Sequence, residues 1–250
     1  MKAIILAAGS GIRLLPMTSG LPKCLVNVQG KPILEYQLEA LNNVEIDECV
    51  VVVGYRGEQI RGFFGDQFKG VSLSFVENRL YSETNNIYSL WLAREDLDGD
   101  ILLLEGDLIF ENALLEDVVL CGGSNVAVVD QYQSTMDGTV ILAQEGFAEA
   151  MVLKADQGQD FDYGLALKTV NIYKFCRNTL SDLVIPELDS YVSDNRTNEY
   201  YEAVLGSLIH RGLLDLAVLH AGSRKWAEID TVEDLHHAER MFLGPVLGRG

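Results

Sequence analysis

The sequence predicts an α/β fold: a mixed, mostly parallel sheet flanked by helices and built as one domain across residues 1–250. Three observations lead there. Apolar strand-like runs alternate with amphipathic stretches through the first half of the chain, the pattern of βα units. Hydrophobic residues make up 48% of the chain, enough to fill one large core. No Gly/Ser tract, block of like charge, internal repeat or low-complexity segment marks a boundary.

Taken in order, residues 2–6 (KAIIL), 49–53 (CVVVV), 71–76 and 101–104 (ILLL) read as buried strands. Residues 33–41, 57–64 and 87–94 read as the helices between them. The segments 125–129, 139–143 and 166–173 are strand-like and are expected to extend the sheet with antiparallel strands. Helices near 176–191 and 199–211 then precede a strand at 214–219. A helix over 231–242 closes the chain, with Thr231 as N-cap and Asp234 three residues on.

With 19 basic and 37 acidic residues, the formal charge of −18 repels nucleic acid and anionic membrane alike, so neither is expected as a partner. The charge is uneven. Residues 1–34 hold Lys2, Arg13, Lys23 and Lys31 and no acid, which either places cations where a polyanion sits or is chance clustering. The apolar run 3–8 is too short for a secretory signal and leads into a glycine loop, and no apolar run is long enough to span a bilayer. Cys24, Cys49, Cys121 and Cys176 lack any metal spacing and read as buried free thiols of a reduced, cytoplasmic chain.

The first strand runs into Leu6, Ala7, Ala8, Gly9, Ser10 and Gly11, a small-residue turn whose backbone amides could face a phosphate chain. Alone it is equally an ordinary βα turn. Leu14 stands where a dinucleotide fold would want a third glycine, and no GxxxxGK[ST] is present for a P-loop. The continuation is more specific: Arg13, Leu14, Pro16, Thr18, Pro22, Lys23 and Leu25, then Gly30-Lys31-Pro32-Ile33-Leu34. Here the chain resembles the nucleotidyltransferases that activate sugar 1-phosphates and choline phosphate, with their LAAGxGxRLxPxT, PK and KP signatures. Ile12 departs from the threonine usual in the sugar enzymes.

That resemblance implies a Rossmann-like nucleotidyltransferase fold and a catalytic set of Arg13, Lys23 and Asp107. The chemistry asks for such residues, because one oxyanion must approach the α-phosphorus of another polyanion. Arg13 would neutralise the departing pyrophosphate, and Lys23 would reach the α-phosphate and the incoming acid. Asp107 ends the apolar run Leu102-Leu103-Leu104-Glu105-Gly106, where α/β sheets collect ligands, and Gly106 would lie against the nucleotide. Asp230, in a stretch similar to the family's terminal IDTxEDL, would join Asp107 in holding Mg2+, an ion content with two carboxylates plus phosphates and water. Capping or turn roles are the plain alternatives for both.

The QxxPxGxA stretch of the sugar enzymes is missing. Instead, residues 78–90 resemble the NxxxxxxNxxYSL segment of choline phosphate and phosphonate cytidylyltransferases, implying CTP, with Asn85 and Ser89 at the nucleotide. Helix capping alone is the plain alternative for Asn85. The stretch KTVNIYKF at 168–175 is similar to that of enzymes that cytidylylate phosphonates such as 2-aminoethylphosphonate. A small phosphonate or phosphate acceptor follows, with Lys168 on its anionic head and Glu202 or Asp137 at an amine end. Lys168 paired with a surface acid and Glu202 as a solvated helix residue are the alternatives. A homodimer is left open. No catalytic histidine is expected, because the attacking oxygen is already ionised, and His210, His220, His236 and His237 are dispersed or diverge on one helix. Rival readings are a sugar-1-phosphate enzyme using UTP or dTTP and a non-catalytic nucleotide-binding regulatory domain.

Overall fold

The computed structural model describes residues 1–243. In chain order, the strands are β1 (Lys2–Ala7), β2 (Asn27–Val28), β3 (Lys31–Pro32), β4 (Glu48–Val53), β5 (Gln67–Phe68), β6 (Val71–Glu77) and β7 (Ile101–Glu105). They continue as β8 (Leu108–Phe110), β9 (Val126–Gln131), β10 (Val140–Gln144), β11 (Phe147–Val152), β12 (Ala166–Phe175), β13 (Ala217–His220) and β14 (Trp226–Glu228). The helices are α1 (Ile33–Asn43), α2 (Gly57–Phe64), α3 (Asn86–Leu92), α4 (Asn112–Leu120), α5 (Arg177–Thr179), α6 (Ile185–Ser193), α7 (Glu202–His210) and α8 (Val232–Met241). A π-helical turn, Leu180–Val184, joins α5 to α6. No described helix is long and apolar enough to cross a membrane.

Ten strands form the central sheet in the order β10-β11-β13-β9-β12-β7-β1-β4-β6-β5. Strands β6, β4, β1 and β7 run parallel at its heart. As expected, the later strands enter antiparallel, with β12 pairing β7 on one side and β9 on the other. Both faces are covered, and the period of two along β1 shows how. Ala3, Ile5 and Ala7 pack with Leu38 of α1, Ile60 of α2 and Leu114 of α4, while Ile4 and Leu6 pack with Leu90 of α3, Leu188 of α6 and Leu205 of α7. Strands buried on both sides can therefore be apolar throughout, as KAIIL and CVVVV are.

The structure departs from the sequence expectations in identifiable places. Helix α4 and strand β11 were not anticipated; α4 (NALLEDVVL) directly follows the apolar strands β7 and β8, and β11 (FAEAMV) carries residues of poor strand propensity. The helix expected from 199 begins at Glu202, because the chain before it is spent on the start of α3: Asn85 N donates to Thr197 O, and Ile87 N to Glu199 O. The strand expected over 214–219 is Ala217–His220. Helix α8 follows the expected Thr231 cap, with a reciprocal box to Asp234. Cys24 and Cys49 are buried thiols, whereas Cys121 and Cys176 are only partly covered.

Gly106 sits where β7 and β1 approach most closely. Its N–H donates to Leu6 O at 2.8 Å, and a Cβ there would lie 2.8 Å from Ala7 Cβ and 2.9 Å from Leu6 O. Its role visible in the fold is thus backbone proximity beside the cleft. Gly106→Ala is expected to cost about 1–3 kcal/mol through overpacking, read as a lower midpoint in urea unfolding; an unchanged midpoint would show that the strands part freely.

Candidate active site

The crevice lies at the carboxyl ends of β1, β6 and β7, at the place where successive strands change from one side of β1 to the other. It is a cleft of about 1500 Å³. Every residue assigned to the site from sequence lines it: Leu6 to Gly11, Arg13, Lys23, Asn85, Ser89, Gly106, Asp107, Asp137, Lys168, Glu202 and Asp230.

At its centre is a lysine between two aspartates. Lys23 Nζ lies 2.7 Å from Asp107 Oδ2 and 2.5 Å from Asp230 Oδ1. Arg13 adds a second cation, 2.8 Å from the same Asp230 oxygen. Burial works against the Lys23 charge, but the two carboxylates outweigh it and hold the ammonium above its usual pKa.

The contacts follow from local structure. Lys23 opens a 3₁₀ turn after Pro22, and the preceding loop folds back so that Thr18 Oγ1 donates to Gly11 O at 2.8 Å. Gly11 has φ 62°, and a Cβ on it would meet Lys23 Cβ and Thr18 Cγ2 at 3.0 Å, so glycine is demanded there. Asp230 arrives from the other end of the chain through a small antiparallel pair, in which Glu228 registers with Leu108 and Ile229 N donates to Asp107 O at 3.0 Å. Asp234 then accepts from the backbone N–H of Asp230 and Thr231, fixing the turn.

Asp107 Oδ1 is buried and has no hydrogen-bond partner among the described residues. An orphaned carboxylate oxygen facing a second carboxylate is a donor set that suits a hard divalent cation also held by phosphates and water. No group of three or more His, Cys, Asp or Glu with metal-binding geometry occurs among the described residues.

On the side of β9, β10 and β12 the cleft is acidic and buried. Lys168, 2% exposed, lies 3.2 Å from Glu228 Oε2 and donates to Thr169 O, so its charge is matched by a partly buried acid of the cleft rather than by the surface one weighed above. Glu202 is 4% exposed and is not a solvated helix residue; its Oε2 has no partner among the described residues. Burial pushes its carboxyl up to about 7, against its helical N–H and Lys168. Glu105 is also raised, by burial and then by Asp107 and Glu202, although Asn86 Nδ2 donates to it at 2.9 Å. Asp137 is different: it is exposed and paired with Lys154 at 3.0 Å.

Glu105, Glu228, Asn86 and Asn78 were not singled out from sequence. Both glutamates stand two residues before an assigned aspartate, and strand alternation was the available signal that they share its face. Asn85 accepts from Asn86 N at 2.8 Å at the start of α3, and Ser89 accepts from Asn78 Nδ2 at 3.1 Å.

The fold and this cleft define an α/β protein with a lysine set between two aspartates at the carboxyl edge of its sheet. The chain belongs to the nucleotidyl transferase family, whose profile matches residues 2–243. It is 33% identical over 98% of its length to CMP-5'-(3-aminopropyl)phosphonate synthase of Streptomyces rubellomurinus, although it spans only 39% of that protein. It is 28% identical to the choline-phosphate cytidylyltransferase of Streptococcus pneumoniae, covering 97% of this chain and 98% of the relative. A solved structure of CTP:phosphocholine cytidylyltransferase from Streptococcus pneumoniae superposes with a TM-score of 0.77 at 26% identity, over 97% of this chain and 99% of the other.

The buried Glu202 makes a stability prediction with a definite sign. Its folded pKa of about 7 lies above the ordinary 4.5, so its contribution is fully present below pH 4.5 and lost as pH rises through 7. Glu202→Gln, neutral throughout, should therefore gain on the wild type in urea midpoint between pH 5 and pH 8, measured without nucleotide or acceptor. A difference that stays flat with pH would mean that Glu202 is not held neutral.

Proposed function

We infer that this chain transfers CMP from CTP to a small phosphonate or phosphate acid and releases pyrophosphate. The observation that carries this is Lys23 held between Asp107 and Asp230 at the carboxyl ends of the parallel strands. The attacking group is an acid oxygen already ionised near neutrality, so no protein base is required. That oxygen forms a bond to the α-phosphorus as the bond to the pyrophosphate oxygen breaks. Lys23 stabilises charge gathering on the transferred phosphoryl group, and Arg13, more exposed, takes the departing pyrophosphate. The loop from Gly9 to Gly11 supplies backbone donors to the phosphate chain. Asp107 and Asp230 would hold Mg2+, which supplies screening of the phosphate charge when bound.

The acceptor's two ends fit opposite features of the cleft. Its anionic head belongs near Lys23, with Lys168 close to the acidic wall, and an amine at its other end would meet Glu202, whose buried oxygen has no partner among the described residues. An ammonium donating to Glu202 and Glu105 would return both to their charged forms. This supports an aminoalkylphosphonate such as 2-aminoethylphosphonate over a neutral sugar phosphate, and favours Glu202 over the ion-paired, exposed Asp137 for that end.

A pyrophosphate-release assay across CTP, UTP and dTTP, each with aminoalkylphosphonates, choline phosphate and glucose 1-phosphate, tests the assignment. Turnover is expected with CTP and an aminoalkylphosphonate; turnover confined to glucose 1-phosphate with UTP or dTTP rejects it. Nucleotide binding without turnover on any acceptor identifies a regulatory domain instead. Asp107→Asn should lower kcat by about 100-fold or more while the variant still folds and unfolds cooperatively, and wild-type rates in that variant would remove Asp107 from the chemistry.

A further inference from the structure

Beyond the carboxyl end of β6, Asn78 forms a hydrogen-bond node whose direction can be read without seeing a single hydrogen. Asn78 follows β6 and is 1% exposed. Leu80 N donates to its Oδ1 at 2.9 Å, and a backbone N–H can only donate, so the amide orientation is settled. Nδ2 must then face the other way. It donates to Thr84 Oγ1 and to Ser89 Oγ, both at 3.1 Å. Thr84 spends its own hydrogen on Leu80 O at 2.8 Å. Ser89 does not: its oxygen accepts from Asn78, and its hydrogen has no acceptor among the described residues. Ser89 is 3% exposed and lines the cleft, on the first turns of α3.

Resting on the reading of this cleft as a nucleotide site, we propose that Asn78 is a positioning residue that turns the Ser89 hydroxyl into a donor, and that this donor selects cytosine over uracil. Cytosine and uracil differ at N3, which is a bare acceptor in the first and carries a hydrogen in the second. A hydroxyl presented as donor completes a bond to cytosine N3. Facing uracil, it must offer its remaining lone pair, and its own hydrogen is left buried without an acceptor. A site built to make a hydrogen bond rejects the analogue that cannot complete it, because the site's own polar group is then stranded. Thr84 and Leu80 make the node rigid: each bond to the Asn78 amide has one permitted direction, so Ser89 Oγ goes on accepting from Asn78 and its own hydrogen is kept free for the cleft.

The test compares kcat/KM for CTP and UTP with one aminoalkylphosphonate, together with calorimetric affinities for both nucleotides, in the wild type, Ser89→Ala and Asn78→Asp. Ser89→Ala removes the reader, and the CTP:UTP ratio should fall roughly tenfold, chiefly through loss on CTP. Asn78→Asp keeps the Leu80 contact but, once ionised, can only accept from Ser89; the serine then shows lone pairs to the base. Its CTP:UTP ratio should fall further and become pH-dependent, dropping as pH rises, whereas the wild-type ratio stays flat. A structural role alone would weaken both nucleotides equally and leave the ratio in place. An unchanged ratio in Ser89→Ala overturns the proposal even if Asn78→Asp does not fold, and a folded Asn78→Asp with the wild-type ratio from pH 6 to pH 9 overturns the part assigned to Asn78. A wild type that binds both nucleotides equally also overturns it. Failure of the transfer reading looks different: nucleotide discrimination persists in calorimetry while no acceptor is consumed.

Discussion

One cation between two carboxylates from distant parts of the chain organises this molecule. Lys23 meets Asp107 at a separation of 84 residues and Asp230 at 207, and all three side chains are largely shielded from water. Neither aspartate could be placed beside the other without something positive between them, since like charges in a partly buried site repel strongly. The rest of the architecture serves that meeting. Strand β7 carries Asp107 to the sheet's carboxyl edge, the β8–β14 pair brings Asp230 back to it, and the glycine loop after β1 delivers Lys23.

The sheet then divides the cleft in two. Strand β1 is flanked by β4 and β6 on one side and by β7, β12 and β9 on the other, so loops from the two halves face each other across its end. The β6 half ends in neutral, hydrogen-bonded side chains, Asn78, Thr84 and Ser89. The β12 half is acidic, with Glu202 buried, Glu105 and Glu228 partly buried, and Lys168 paired with Glu228. A neutral wall suits a base read by hydrogen-bond direction, and an electron-rich wall suits a cation. Helix α3 joins the two, since Asn86 at its start donates to Glu105 at 2.9 Å.

Strand β12 shows how the acidic half is shaped. Its register against β9 shifts between Thr169 and Tyr173, and Asn171 takes a positive φ of 59° there. Asparagine tolerates that conformation, and the resulting bulge leaves Asn171 Oδ1 accepting from Thr169 Oγ1 beside the cleft. Behind it, the hydroxyls of Tyr173 and Tyr201 are buried without partners among the described residues, close to Glu105 and Glu202. Polar groups left unsatisfied in a well-packed core cost stability.

Much of this was legible in the sequence because local pattern carries it. Continuous apolar runs mark strands buried on both faces, Thr231 with Asp234 marks a helix start, and the glycine loop with Arg13 and Lys23 marks a segment that lines the cleft. What could not be read was the partner of each polar residue. Lys168 looks the same in sequence whether it faces solvent, an acceptor or Glu228, and Glu202 looks like any acidic helix residue until burial removes its water. Asn78 was visible only as one letter of a motif, since its importance lies in bonds to Leu80, Thr84 and Ser89 that set a direction. Periodicity and turn chemistry are properties of neighbouring residues and are written along the chain, whereas charge pairing, burial and hydrogen-bond polarity arise between residues that only folding brings together.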